Sequence, residues 1–277
     1  LGDGPEACDA KDFRAWALLV EYDGTGFAGW QRQGARPSIQ SVVEAAAARV
    51  GATAPCIAAG RTDAGVHAAG QVVLLHLPAH LPAERVRDAL NYHMKPHLIV
   101  VREATPAPLG WNPRFSAIAR HYRYRILDRR ARPALEHNRV WHVVHRLDAG
   151  AMHEAAQALL GRHDFTSFRA AGCQAKSPIR TLDRLDVTRH GDEIICCVEA
   201  RSFLHHQVRN MVGTLALVGK GKWRVSDVAR ALDARNRRAA GPTAGAEGLC
   251  LMAVIYPEDP FADVTSVSPS SRPQAGR

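Results

Sequence analysis

Apolar and polar positions alternate from residue 16 to residue 22. Trp16, Leu18, Val20 and Tyr22 fall on one side and Ala17, Leu19 and Glu21 on the other, the pattern of a half-buried strand. Asp23-Gly24 then marks a turn. Ile39, Val42, Val43, Ala46, Ala47 and Val50 recur at helical spacing. Ser38 is the candidate N-cap and Gly51 the stop, with Ser41 and Glu44 forming a capping box one turn in. A strand ending near Ala58 leads into a loop over 60–67, and 71–77 reads as the strand that leaves it. A short helix over 82–90 and a strand over 97–102 follow. The breaker-rich run T-P-A-P-L-G at 105–110 is the best boundary between two halves, 13–107 and 108–257.

Past that boundary, Ile118, Arg120, Tyr122, Tyr124 and Ile126 share one face of a long strand, and His121, Arg123 and Arg125 share the other. A helix over 148–160 is capped by Asp148 and stopped by Gly161. Residues 182–189 and 193–200 pair as a hairpin about His190-Gly191-Asp192. An amphipathic helix over 205–218 turns Val208, Met211, Val212 and Leu215 inward, a shorter helix covers 226–232, and 249–256 closes as a strand. Residues 1–12 read as a flexible tail and 258–277, rich in Pro and Ser, as a disordered one. Interspersed strands and helices with a clear hairpin imply an α+β fold, its helices packed on mainly antiparallel sheets.

Composition narrows the function classes. The longest apolar runs are about six residues, far short of the roughly 20 that a membrane helix needs, and the start has no signal-peptide pattern. A soluble, cytoplasmic protein is expected, with no membrane partner. None of the six cysteines forms a C-x-x-C pair, so neither a disulfide framework nor a zinc pattern is present. Lys plus Arg exceeds Asp plus Glu by 36 to 27, giving +9, and only five of the basic residues are lysine. That balance favours a polyanionic partner such as nucleic acid.

Four stretches carry candidate chemistry. The loop 60–67, Gly-Arg-Thr-Asp-Ala-Gly-Val-His, puts Arg61, Asp63 and His67 in one tight turn, and Gly60 and Gly65 permit backbone angles closed to other residues. A carboxylate beside a guanidinium stays ionised. It can serve as nucleophile, general base or metal ligand. The same residues also suit an aspartate that only closes the turn, and spacing alone favours that plainer reading. Arg114, Arg120, Arg123, Arg125, Arg129, Arg130 and Arg132 crowd a strand that also bears Tyr122 and Tyr124. Guanidinium groups with aromatic rings suit RNA, although one solvated arginine face would look alike. In R-S-F-L-H-H-Q-V-R at 201–209, His205 and His206 are neighbours, and two neighbours on a helix cannot face one ion, so no metal site is expected. Arg209 lies close to the apolar face of that helix and needs a carboxylate partner, for which Asp63 is the candidate. D-G-T-G-F-A-G-W-Q-R-Q at 23–33 is neither a P-loop nor G-x-G-x-x-G.

Taken in order, E-Y-D-G-T-G-F-A-G-W-Q-R-Q (21–33), G-R-T-D-A-G-V-H (60–67), R-F-S-A-I-A-R-H-Y-R-Y (114–124), D-F-T-S-F-R (164–169), F-L-H-H-Q-V-R-N-M-V-G (203–213) and A-E-G-L (246–249) resemble the tRNA pseudouridine synthase A family across about residues 15–257. The resemblance implies a catalytic aspartate at Asp63, active-site arginines at Arg61 and Arg209, and a substrate-contacting tyrosine at Tyr122. Arg120, Arg123 and His67 are further candidates for substrate contact. It implies a homodimer that converts uridines 38, 39 and 40 of the tRNA anticodon stem-loop without metal or organic cofactor. It also implies two α/β halves with antiparallel sheets and a central basic cleft between them. The closing segment departs from the family's common A-P-A-E-G-L-Y-L, with Gly245 and Cys250 replacing the proline and tyrosine. The alternatives are a non-catalytic RNA-binding protein, which has no need for Asp63 and Arg209 to converge, and a metal-dependent hydrolase, which needs more ligands beside Asp63.

Overall fold

The alternation from residue 16 onward builds the first strand, β1 (Phe13–Tyr22), with Trp16, Leu18, Val20 and Tyr22 buried together. The computed structural model describes residues 13–34 and 36–262. The chain continues through α1 (Ile39–Arg49), β2 (Ile57–Ala58), β3 (His67–Pro78), α2 (Ala83–Met94), β4 (Ile99–Pro106) and β5 (Ala119–Leu127). It then forms β6 (Trp141–His142), α3 (Ala149–Ala156), β7 (Gly161–Asp164), β8 (Ile179–His190), β9 (Glu193–Ala200), α4 (Gln207–Gly219), α5 (Val225–Asp233) and β10 (Leu249–Ile255). The fold is α+β, as expected.

Among the described residues all ten strands belong to one sheet, ordered β4-β1-β3-β10-β5-β9-β8-β7, with β2 beside β3 and β6 beside β5. Pairing is antiparallel except at β10/β3 and β5/β6. The last strand is inserted between β3 and β5, and this sets up the site. Cys250 pairs with His67 and Leu251 with Ala68 on one side. Leu251 pairs with Tyr122 on the other. The loop before β3 and the middle of β5 are thereby brought to the same part of the sheet, although about 60 residues separate them.

Two hydrophobic clusters divide the helices. α1 and α2 pack Ile39, Val43, Val86, Leu90 and Met94 on the β1 face that carries Trp16 and Leu18. α3, α4 and α5 pack Met152, Met211, Leu215 and Val228 against Leu185, Cys196 and Phe165. Tyr122 touches both clusters. A third cluster, Ala17, Ala59, Val72, Ala117, Tyr256 and Phe261, covers the opposite face of the central strands.

Several expectations need correction. The capping box of α1 is Ser38 with Ser41, each side chain accepting from the other's backbone N–H at 3.1 Å. Glu44 instead accepts from Arg32, Gln40 and the Cys56 N–H, so it ties the flanking loops together. β3 begins at His67 rather than 71, and α2 runs on to Met94. The helix at 148–160 ends at Ala156 and tightens into a 3-10 turn before Gly161. The breaker-rich 105–110 stretch is not a free linker, since β4 extends to Pro106 and Ala107 and Trp111 pack on the third cluster. The tail expected from 258 is ordered as far as the described residues go, with Phe261 buried; residues 1–12 and 263–277 lie outside them.

Candidate active site

The loop from Gly60 to His67 is braced from behind by the glycine-rich turn that follows β1. Trp30 N–H donates to Thr62 O at 2.9 Å, Tyr22 Oη and Thr62 Oγ1 are 2.8 Å apart, and Gly24 N–H donates to His67 Nδ1. Gly29 has φ +96°, and a Cβ there would lie 2.6 Å from Thr62 O. The D-G-T-G-F-A-G-W run therefore has a task that its lack of a nucleotide motif left open: its missing side chains let it press against the loop that carries Asp63. Within the loop, Gly65 has φ +78°, as glycine allows. Gly60 needs no such freedom.

The Asp63 side chain does not close its own turn. The turn closes through the main chain, Val66 N–H to Asp63 O at 3.1 Å. The carboxylate, with 19% of the side chain exposed, points instead at the start of α4. Arg209 Nη1 donates to Asp63 Oδ2 at 3.2 Å while its Nε donates to Ala244 O at 2.9 Å. The partnership expected from the sequence is thus present. His205 Nε2 lies 3.4 Å from Oδ1 and His206 Nε2 lies 3.4 Å from Oδ2, their rings 4.0 Å apart.

Neighbouring histidines converge here because they are not on the helix. α4 begins at Gln207, and His206 precedes it in the left-handed region at φ 62°. That conformation is uncommon for a residue with a Cβ. It swings both rings to one side, which the expectation of a helix starting at 205 missed. Asp63, His205 and His206 could present three ligand atoms to a cation within 4.8 Å of one another. The Arg209 guanidinium on the same carboxylate opposes a second cation there.

Burial pushes the Asp63 carboxyl up, but the His205 hydrogen bond and the charges of His206, Arg209 and His205 together outweigh it and hold the group below its ordinary 3.8. His205 is raised above 6.5, chiefly by its bond to Asp63. His206 is lowered, because burial outweighs the pull of Asp63. The two histidines are thus set apart, one inclined to hold a proton and one to lose it.

Tyr122 comes from β5 on the same side. Its ring meets Phe203 edge-on at 5.2 Å. Burial, then the charges of Tyr22 and Asp63, keeps its hydroxyl protonated well above the usual range.

The other candidate residues are placed differently. Arg61 is exposed and makes no ion pair with Asp63; the histidines occupy the place expected for it. His67 is buried, its Nδ1 accepting from Gly24 and its Nε2 donating to Asn138 O at 2.7 Å, so both ring nitrogens are engaged inside the protein. Arg120 is buried and directs its donors to the carbonyls of Ala59, Arg114 and Arg201. It is a strut between the entrance of the Asp63 loop and the end of β9, not the substrate contact expected from its charge. Arg123 lies on the face of β5 opposite Tyr122. On that face Arg125 is held by Glu193 and Glu136 at 2.6–3.0 Å. The arginine-rich strand is therefore largely occupied by partners within the chain.

Comparison with known proteins identifies the family. A family model described as tRNA pseudouridine synthase matches residues 18–116 and 155–257. Proteins named tRNA pseudouridine synthase A are similar over most of their length. That of Acidiphilium cryptum is 65% identical over 251 residues, 90% of this chain and 98% of its own. That of Gluconobacter oxydans is 54% identical, covering 92% and 94%, and that of Paramagnetospirillum magneticum 58% identical, covering 87% and 94%. With the family model matching most of the chain and relatives this similar along nearly their whole length, the chain belongs to the tRNA pseudouridine synthase family.

Proposed function

We propose that this chain isomerises uridine to pseudouridine in tRNA, and that Asp63 is the group that acts on the nucleotide. One observation carries the assignment to Asp63: Arg209, His205 and His206 converge on a carboxylate that makes no hydrogen bond to its own turn. A turn-closing aspartate needs none of these partners.

The reaction breaks the bond from ribose C1′ to N1 of the base, turns the base, and joins C1′ to C5. The hydrogen on C5 leaves as a proton and N1 gains one, so atoms and electrons balance without an oxidant or reductant. The target base must first leave its stack, which costs roughly a few kcal/mol. Three roles for Asp63 fit this sequence: nucleophile at the sugar, nucleophile at the base, or base for a sugar proton. Each needs an ionised carboxylate in a fixed position, which Arg209 and His205 supply. A half-buried Tyr122 ring, braced by Phe203, offers a face to the displaced base. Exposed Arg61, with no hydrogen-bond or ion-pair partner among the described residues, is available to a phosphate of the bound RNA.

The family resemblance extends the proposal to uridines 38, 39 and 40 of the anticodon stem-loop, to a homodimer and to the cytoplasm. Among the described residues no helix is long and apolar enough to cross a membrane. Incubating the purified protein with unmodified tRNA transcripts and mapping pseudouridine at single-nucleotide resolution tests the substrate assignment. Modification at 38–40 is expected; modification confined to other stems would remove the stem-loop from the proposal.

A further inference from the structure

Arginine side chains gather at a second place, beside the Asp63 site but outside it. A groove of about 440 Å³ is lined by Thr166, Arg169, Ala170 and Ala171 on one wall and by residues 234–237 on the other, including Arg235 and Arg237. It contains three arginines and no carboxylate. An adjoining hollow of about 310 Å³ shares Arg235, but there Asp164 and Asp233 balance the charge. The first groove is the better suited to an anion, with Asp164 outside its lining yet near enough for its carboxylate to interact with Arg169 and Arg235.

From this arrangement we infer that the groove holds the sugar–phosphate backbone of the RNA next to the nucleotide at Asp63. The inference rests on the RNA substrate proposed above. Its walls are clamped, since Asn236 N–H donates to buried Ser167 Oγ at 2.9 Å. Arg237 is held by the Gly241 carbonyl, Asn210 Oδ1 and Thr243 Oγ1, so its charge is fixed at the inner end. The Arg169 side chain makes no hydrogen bond to the described residues. That of Arg235, 71% exposed, reaches Asp164 only at 3.9 Å. Both guanidinium groups therefore keep donors for phosphate oxygens. The alanines between them leave room for a polymer backbone to lie close.

The groove leads to the catalytic carboxylate. Ala170 N–H donates to His205 O at 2.9 Å, so one wall of the groove is continuous with the wall of the site. The charge of Arg237 acts on His206, which lies 3.4 Å from Asp63. Phosphates held here would anchor the strand while one base is displaced toward Tyr122. Direct contacts to phosphate carry no sequence information, so this surface adds affinity and register rather than base choice.

The test measures binding apart from chemistry. Anisotropy of a fluorescent unmodified tRNA gives Kd across a salt series for the full chain, for Arg169→Gln, for Arg235→Gln and for the double variant. Arg87→Gln, on α2 and paired with Asp88, is the charge control. Arg235 already sits at positive φ, so glutamine adds no new backbone strain there. The double variant is expected to raise Kd about tenfold, to lower the slope of log Kd against log salt by about 1.5, and to leave kcat at saturating tRNA unchanged. A double variant whose Kd and slope match the Arg87→Gln control overturns the inference, and so does a loss of kcat at unchanged Kd. The two readings separate cleanly. A protein that binds as expected but makes no pseudouridine removes the catalytic assignment and leaves the groove. One that makes pseudouridine while the double variant binds like the control does the reverse.

Discussion

At the scale of single residues, the Asp63 cluster explains itself through charge. An aspartate this enclosed would drift toward its neutral acid, and Arg209 and the two histidines reverse that drift. The sign of the linkage follows. A carboxyl lowered in the folded state stabilises the fold above pH 3.8, and that contribution is lost as pH falls through the folded value. The raised His205 stabilises below pH 6.5, a contribution lost as pH rises through its folded value. Arg209→Ala takes away a lowering charge, so the Asp63 pKa moves up. The acidic limb of that variant's kcat/KM profile is expected at higher pH than the parent's, although His205 and His206 still lower the carboxyl, and kcat is expected to fall about 10²–10³-fold. Arg209→Lys keeps the charge but cannot serve both Asp63 and the Ala244 carbonyl, so it restores the limb more than the rate. A pH–rate profile of Arg209→Ala that overlays the parent contradicts the ion-pair role. The sequence made Asp63 and Arg209 legible as partners because a guanidinium near an apolar helix face needs a carboxylate. It did not make His205 and His206 legible, because their convergence depends on one left-handed residue. Histidine is enriched in that region relative to most residues, and that was the signal available. Arg120 misled for a simpler reason: alternation placed it correctly beside Tyr122, but nothing in a sequence marks the carbonyls waiting for it.

At the scale of elements, the glycine-rich turn after β1 and the Asp63 loop form one unit. Neither stretch shows this alone, since the contact joins residues about 30 positions apart. Gly29→Ala tests it. The new Cβ meets Thr62 O at 2.6 Å in a backbone conformation at φ +96°. A loss of about 2–3 kcal/mol in urea-unfolding free energy is expected. A fall in kcat is expected under conditions where the variant is still folded, because the displaced segment carries Asp63. Wild-type kcat in a folded Gly29→Ala variant would separate the turn from the Asp63 loop. The helices themselves were legible: the spacing of Ile39, Val43, Ala46 and Ala47, and of Val208, Met211, Val212 and Leu215, named residues that are buried. Their ends shifted by a turn or less, where capping partners compete. The replacement of the family's proline by Gly245 leaves its carbonyl anchored, since Tyr124 Oη donates to it at 2.6 Å.

At the scale of the whole molecule, β10 does what no local pattern announces. A chain read as two halves is joined by β10, the last described strand, into one sheet that holds all the described strands. The parallel pairing of β10 with β3 spans only two residue pairs, Cys250 with His67 and Leu251 with Ala68. So short a contact between distant segments leaves no periodic trace, yet it sets the Asp63 loop beside Tyr122 and opposite Arg209. The α+β class and the hairpin of β8 and β9 were readable from alternation and turn residues; this insertion was not. The central claim, that the assembled site isomerises uridine through Asp63, is tested most directly with tRNA carrying tritium at uridine carbon 5, because joining C5 to the sugar expels that hydrogen. The parent protein is predicted to release tritium. Asp63→Asn, folded and still binding tRNA, is predicted to release it at least about 10³-fold more slowly. Near-normal release by Asp63→Asn would contradict the assignment of the chemistry to this carboxylate.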